Sequence, residues 1–381
     1  MGNEAQHIAR TPEQVLGKPT EIQRDASIDV ARGIAIIAIV VTHVLRGLNA
    51  AHLLGHGSWI AATDRVLCLW ELSVFAFLGG IFVAKSVSKR SMGTYLQERT
   101  FQFVVLYLLW TALQGGVQLF AARLVNNPSS IGLLLRVWAP TGQLWYLPWL
   151  VLATLVFVPL RPWRPERAPW VLGLAALLSI AFWGLDGGAI GTQGLGLVVF
   201  FVGGMILGVD RLRSALQSTP FVVAGVGGVA LLAVGTLIAV YALPTAPTIG
   251  WSGRTVSTVA LGVVLSVVMS AAVLVSARAV RSWGFLALCG RRSLDIFLGH
   301  IIMASGSRII LMMLGVHSVV LLVAVCVVAG VLGPLVASAA LRRIGLAWVF
   351  DGPKLPTRDR KRSRRSRPAP SPASATEVGA S

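Results

Sequence analysis

The chain has 381 residues, of which 55% are hydrophobic and only 13% are charged, and its mean hydropathy is +0.75. A soluble globular domain carries about 25% charged residues, so this composition excludes an ordinary soluble protein and favours a lipid environment. The formal net charge is +18. Much of this charge lies in residues 354–367, and the other basic residues lie between apolar stretches. This distribution is typical of tails and loops at a membrane surface, so we expect no nucleic-acid partner.

The N-terminal residues 1–27 are polar and predict a cytoplasmic segment, so the first apolar stretch is expected to be a permanent span and not a cleaved signal. A helix needs about 20 mostly apolar residues to cross the hydrocarbon core of a membrane. Ten stretches approach this length, roughly 28–48, 66–84, 101–122, 144–160, 168–186, 192–208, 221–243, 255–276, 293–314 and 318–341. The predicted fold is an all-α polytopic bundle over 28–341 with no sizeable soluble domain, followed by a basic, disordered cytoplasmic tail over 342–381.

The basic residues of the short loops predict the orientation of these spans, because Lys and Arg accumulate on the cytoplasmic side. Thirteen lie in the loops that share a side with both termini: Lys85, Lys89, Arg90, Arg99, Arg161, Arg164, Arg167, Arg211, Arg213, Arg278, Arg281, Arg291 and Arg292. Five lie in the opposite loops: Arg46, Arg65, Arg123, Arg136 and Arg254. We therefore expect a multi-pass protein of the cell inner or plasma membrane with both termini in the cytoplasm.

The first predicted span carries three ionisable residues, Asp29, Arg32 and His43, which are costly inside a membrane and so point to a role. Arg32 and His43 are eleven residues apart, about 20° more than three full turns, and therefore share one helix face about 16 Å apart. Asp29 lies one turn before Arg32 and could hold its guanidinium. The alternative is that Asp29 and Arg32 only anchor a helix end and that His43 only bonds a neighbouring helix.

Four segments, in order, resemble acyltransferase family 3, the integral-membrane O-acyltransferases. The first is Asp29-x-x-Arg32-Gly33 with His43 following, which is similar to the family's opening Arg, ten residues and His. The others are LSVFAFLGGIF at 72–82, LWYL at 144–147 and GRRSLDIFLGH at 290–300, and the resemblance spans about 25–341. The chain departs from the family pattern at Gln102, where a second Arg often follows Arg99 by three residues.

The resemblance implies transfer of an acyl group, usually acetyl, from a cytoplasmic thioester such as acetyl-CoA to a hydroxyl of a glycan or a lipid-linked acceptor. It implies His43 as the general base, since imidazole titrates in the right range. Glu71 lies at a similar depth because the first two spans are antiparallel, and we expect it to orient the imidazole as the partner in a dyad. Asp29, Arg32 and Arg99 are the expected donor-binding residues. His300 and Ser293 are possible cavity residues, and Glu71 could instead cap a water-filled vestibule.

The lipid bilayer, the acyl donor and the acceptor are the expected partners, and neither a bound cofactor nor a metal site is expected. Cys68, Cys289 and Cys326 lie far apart without the spacing of metal ligands. Two other functions are compatible with the sequence: a transporter or flippase with a polar path through its helices, and a non-enzymatic component of envelope glycan assembly. We find no inverted repeat of the kind that many transporters carry.

The predicted topology can be tested with reporter fusions. Fusions after Arg367 and Asn127 should report the cytoplasm and the outside respectively, because the Lys and Arg asymmetry fixes the sides of the loops. An external signal from the Arg367 fusion would contradict an even number of spans.

Overall fold

The structure, a computed structural model, describes residues 26–53, 58–120, 136–140, 142–185, 188–249, 253–353 and 355. Within these ranges the chain is helical and has no strand. The helices are α1 Ala26–Ala50, α2 Ser58–Gly80, α3 Val83–Ser88, α4 Met92–Phe120, α5 Tyr146–Phe157, α6 Ala168–Ala181, α7 Val198–Ser218, α8 Gly228–Ala242, α9 Val256–Ala279, α10 Gly284–Arg291, α11 Ser293–Met313, α12 Val319–Arg343 and α13 Trp348–Asp351.

Eight helices of the described chain are long and apolar enough to cross a membrane, which confirms the predicted all-α polytopic bundle. They coincide with the first three and the last five of the ten predicted spans. The fourth and fifth predicted spans correspond to shorter apolar helices, Gly142–Phe157 and Ala168–Ala181. The count of ten therefore stays a prediction.

The sixth predicted span ends where α7 is broken. Gly208 has a φ of 72° and a ψ of 160°, which interrupts the helix, and the next amide, of Val209, donates to the Ile81 carbonyl at 3.0 Å. Beyond this break Asp210 pairs with Lys85 at 3.2 Å. The predicted end of the span at residue 208 marks this change of direction.

Helix α1 lies at the centre of the bundle. Its most apolar stretch is 72% buried by protein, whereas the corresponding stretch through α8 is 22% buried and that of α12 is 28% buried. The outer helices instead expose aliphatic side chains such as Val229, Leu237, Val328 and Val336, as expected for surfaces that face lipid. The polar face of α1 is therefore surrounded by other helices and not by lipid.

Two pairs of glycines allow the helices to pack closely at the end of the bundle where α1 begins. A methyl group on Gly33 would overlap the Leu286 carbonyl of α10, and one on Gly290 would overlap the Asp29 carbonyl of α1. Gly80 of α2 and Gly204 of α7 are related in the same way through the Phe201 and Phe77 carbonyls. Small residues that bring backbones together are the usual means of packing membrane helices, because burial against lipid supplies little hydrophobic gain.

The chain after α12 folds back onto the bundle before the described residues end. Phe350 of α13 is buried against Trp110 of α4, with ring centroids 5.1 Å apart, and Trp110 Nε1 donates to the Val349 carbonyl at 2.9 Å. Arg342 forms a two-point ion pair with Asp295 at 2.9 and 3.2 Å and also contacts Asp351. The first residues of the segment assigned to the tail are thus packed, and residues from 356 onward lie outside the described part of the chain.

The contact between α1 and α10 can be tested by Gly290→Ala. The added methyl group must displace the α1 backbone, and overpacking of this kind typically costs about 1–3 kcal/mol, so we expect a clear fall in the thermal unfolding temperature of the purified protein. Gly306→Ala in α11 is the matched control, since nothing lies within 4 Å of the position of its added methyl group. Equal unfolding temperatures for the two variants would contradict the role of this contact.

Candidate active site

His43 lies in the C-terminal half of α1, where one ring nitrogen is held by the backbone of its own helix. Its Nδ1 lies 2.8 Å from the Ile39 carbonyl oxygen. A carbonyl can only accept a hydrogen bond, so Nδ1 carries the proton of the neutral imidazole and Nε2 keeps its lone pair. His43 is partly buried, and its ring centroid lies 5.0 Å from that of His300 in an edge-to-face arrangement.

Glu71 is buried on α2 beside the same part of α1. The Thr42 hydroxyl lies 3.2 and 3.3 Å from its two carboxylate oxygens and 2.9 Å from the Ile39 carbonyl oxygen, so its one hydrogen is shared among them, and Thr42 is the residue before His43. Within the described residues no hydrogen bond joins Glu71 to His43. The predicted similar depth of the two side chains is correct, but the Ile39 carbonyl and not Glu71 orients the imidazole.

A polar network extends from Glu71 toward the end of α1. Arg46 donates from Nε to Asp64 at 2.8 Å and from Nη2 to the Cys68 sulfur at 2.7 Å. The Cys68 sulfur lies 3.6 Å from Asp64 Oδ1 and 3.8 Å from Glu71 Oε1. The guanidinium thus lies among two carboxylates and a thiol, one turn from His43.

A cavity of about 280 Å³, which we call cavity 1, opens beside this network. The C-terminal half of α1, the middle of α2 and three connecting segments form most of its wall. Its lining residues are Ile39, His43, Arg46, Cys68, Glu71, Leu72, Pro140, Gly142, Gln143, Trp145, Tyr146, Gln193, Thr248, Ile249 and Phe297. His43, Glu71 and Arg46 therefore face one space that a small polar molecule could enter.

Cavity 2, of about 260 Å³, lies on the other side of His43, between α1, α11 and α12. Its wall is mainly aliphatic but includes two imidazoles and two guanidinium groups. Its lining residues are His43, Val44, Arg46, Gly47, Leu48, His300, Ile301, Ala304, Ser305, Arg308 and Cys326. His43 and Arg46 line both cavities, so the imidazole stands at their junction.

His300 belongs to cavity 2 and is completely buried. Its Nδ1 faces the Ile296 and Phe297 carbonyls at 3.1 and 2.9 Å, which again leaves Nε2 as the lone-pair nitrogen. That nitrogen has no hydrogen-bond partner in the structure. Ser293 is buried at the start of α11 and lines neither cavity.

The three predicted donor-binding residues lie away from both cavities. Arg32 donates to the Leu78 carbonyl at 3.1 Å and its guanidinium lies over the Phe82 ring, 5.7 Å from the centroid. Asp29 is buried at the α10 contact. Arg99 donates to Gln102 at 3.1 Å, so the residue found where the family often has a second Arg is a partner of the first. Donor binding by these residues stays a prediction.

Comparison with known sequences identifies the family. The sequence model of a family described as an acyltransferase domain matches residues 25–339. The chain belongs to acyltransferase family 3. Nodulation protein NolL of Sinorhizobium fredii (strain NBRC 101917 / NGR234) is 24% identical over 155 residues, which are 41% of this chain and 41% of NolL. No solved structure matches the chain significantly.

The fold brings together two of the family-like motif segments that are far apart in sequence. Gly33 and Gly290 meet at the contact between α1 and α10, and the segment that starts at Gly290 ends at His300, beside His43. The glycine contact therefore fixes the end of α1 that carries Arg32. The helix that follows Gly290, α11, brings His300 into cavity 2 beside His43.

The network around Arg46 is not among the site residues that the sequence predicts. The sequence marks Arg46 only as a basic residue of the predicted outer side and Cys68 only as a cysteine without the spacing of metal ligands. The signal was spacing: Arg46 follows His43 by three residues, and Asp64, Cys68 and Glu71 recur at intervals of four and three on one face of α2.

Arg32 of the acyltransferase can be tested by a charge-conserving change. We expect Arg32→Lys to lose acyl transfer nearly as fully as Arg32→Ala, because an ammonium group cannot reproduce a planar fork that bonds Leu78 and stacks on Phe82. Transfer is measured per amount of protein in the membrane. Arg281→Lys, at an exposed position, is the control. Full activity of Arg32→Lys would show that only the charge is needed.

Proposed function

We propose that this acyltransferase moves an acetyl group from acetyl-CoA, or another acyl group from a cytoplasmic thioester, to a hydroxyl of a glycan or a lipid-linked acceptor. The observation that carries the proposal is the tautomer of the His43 imidazole, which lines both cavities. Its Nδ1 proton is bound to the Ile39 carbonyl, so Nε2 is the ring atom free to take a proton.

The proposed reaction is a direct transfer in which His43 handles one proton. Nε2 removes the proton of the acceptor hydroxyl as its oxygen attacks the thioester carbonyl carbon. A carbon–oxygen bond forms, the carbon–sulfur bond breaks, and the thiolate leaves with the electron pair. The imidazolium then returns its proton to the sulfur, which regenerates neutral His43 and releases a free thiol.

Cavity 1 has the polar lining that an acceptor with several hydroxyl groups requires. The Gln143 side chain is buried, and its oxygen and nitrogen have no hydrogen-bond partner in the structure. Glu71 adds acceptor oxygens and Gln193 adds a second amide. Buried polar groups without partners are costly, so a sugar that bonds them is favoured over an apolar molecule.

The sides of the reaction follow from the distribution of charge. The basic loops support cytoplasmic termini and insertion in the inner membrane. In this proposed orientation Arg32 lies near the cytoplasm and cavity 1 lies toward the opposite face. Arg32 and Arg99 then suit the phosphates of the donor, since the arginine fork matches phosphate geometry. His43 lies about 16 Å further along α1, at the depth where the acyl group meets the acceptor.

His43→Gln separates catalysis from structure. Gln retains hydrogen-bonding capacity but cannot take up a proton at neutral pH, so we expect transfer to fall about 100-fold or more while the protein still inserts. The measurement is transfer of radiolabel from acetyl-CoA to crude envelope glycan at equal membrane abundance.

His317→Gln makes the same exchange at an exposed position between α11 and α12 and should retain activity. The proposal for His43 is abandoned if its Gln variant acylates the acceptor at close to the wild-type rate.

A further inference from the structure

Arg308 is a buried cation in the part of the chain that the structure describes. It is 7% exposed and lies in α11, a helix long and apolar enough to cross the membrane. Its Nη1 donates to the Gly47 carbonyl at 2.5 Å, and within the described residues no Asp or Glu pairs with it. A guanidinium offers five donors, and an arginine inside a membrane normally has an anionic partner or contacts water. Arg308 is thus arranged to bind an anion.

The surroundings of Arg308 specify more than a simple anion. Val44, Leu48, Ile301 and Ala304 give cavity 2 an aliphatic wall. Its two guanidinium groups differ, because Arg46 is paired with Asp64, whereas no Asp or Glu of the described residues pairs with Arg308. A cavity of about 260 Å³ has room for roughly eight groups of the size of a water molecule, which each occupy about 30 Å³. A small inorganic anion would leave the aliphatic wall uncovered, so the expected ligand carries both a phosphate and a hydrocarbon chain.

The depth of Arg308 agrees with a lipid phosphate. It is the sixth residue from the end of α11, about 8 Å along the axis from that end, and its partner Gly47 is in the last turn of α1. By the charge distribution this end of the bundle is the external one, opposite to Arg32. The phosphates of membrane lipids lie near such helix ends, whereas the phosphates of a cytoplasmic donor would approach the other face.

Cavity 2 also communicates with the proposed catalytic base. His43 and Arg46 line both cavities, so a ligand whose phosphate lies in cavity 2 is within reach of the His43 imidazole, which also faces cavity 1. We propose that Arg308 and cavity 2 bind the phosphate and first carbons of a lipid-phosphate carrier whose sugar is the acceptor. This inference rests on the proposed function and narrows the acceptor to a lipid-phosphate-linked sugar.

Binding can be measured on the purified full chain in an uncharged detergent. The probes are citronellyl phosphate, citronellol, which has the same hydrocarbon without phosphate, and inorganic phosphate, which has no hydrocarbon. Ligand-dependent increases in thermal unfolding temperature give the affinities. We expect saturable binding of citronellyl phosphate and at least tenfold weaker binding of the other two probes.

Two variants and a control locate the site. Arg308→Gln should weaken the binding of citronellyl phosphate at least tenfold, because it removes a charge-assisted bond to the phosphate. Arg308→Lys keeps a positive charge and should weaken that binding less. Ser305→Leu narrows cavity 2 without changing the guanidinium and should also weaken the binding of citronellyl phosphate. This variant tests the site even if Arg308→Gln fails to fold. Arg136→Gln removes an exposed arginine of the predicted external side and should bind like wild type.

Four results would overturn the inference. Two concern variants: unchanged binding of citronellyl phosphate by a folded Arg308→Gln protein, or by the Ser305→Leu protein. The other two concern ligands: equally tight binding of citronellol or of inorganic phosphate, and competition by coenzyme A, which would make cavity 2 a donor site. Acyl transfer from acetyl-CoA to envelope glycan is measured separately. Loss of the lipid-phosphate site with transfer intact, or the reverse, therefore distinguishes failure of this inference from failure of the proposed function.

Discussion

The structure depends on the need to satisfy the polar face of α1 inside a membrane. This helix carries Arg32, Thr42, His43 and Arg46, and lipid offers such groups no hydrogen bonds. Other helices and the backbone of α1 supply the partners: Leu78 for Arg32, Glu71 for Thr42, Ile39 for His43, and Asp64 for Arg46. Of the eight long apolar helices in the described chain, α1 is the most deeply buried by protein, and the other helices are arranged around it.

Glycine contacts make this arrangement possible. The partners of α1 must approach closely, and at Gly33 and Gly290 the backbones of α1 and α10 leave no room for a side chain. The same geometry recurs between α2 and α7 at Gly80 and Gly204, next to the turn where Ile81 accepts a hydrogen bond from Val209. Close packing thus fixes the ends of the two helices that carry His43 and Glu71, and an imidazole and a carboxylate are held around one cavity without bonding each other directly.

The chemical consequence is a single imidazole between two unlike cavities. Cavity 1 is lined by the Glu71 carboxylate and by the amides of Gln143 and Gln193, whereas cavity 2 is mainly aliphatic, and within the described residues no Asp or Glu pairs with its Arg308. The proposed reaction requires two substrates to meet at one point, and the proposal rests on the fact that His43 and Arg46 line both cavities. In such an arrangement the reaction depends on positioning and proton transfer by residues of the chain.

The sequence by itself determined the membrane class, the positions of the long helices and the shared face of Arg32 and His43, because these follow from local hydropathy and helical periodicity. It also placed Glu71 near the depth of His43, since the two helices are antiparallel neighbours. Only the tertiary structure decided that Thr42 binds Glu71, that Arg46 joins Asp64 and Cys68, and that His300 meets His43 while Ser293 lies away from both cavities. Those outcomes depend on the rotation of each helix about its axis and on the approach of distant segments. Packing at Gly33, Gly290, Gly80 and Gly204 sets both, and no local pattern encodes which glycines will meet.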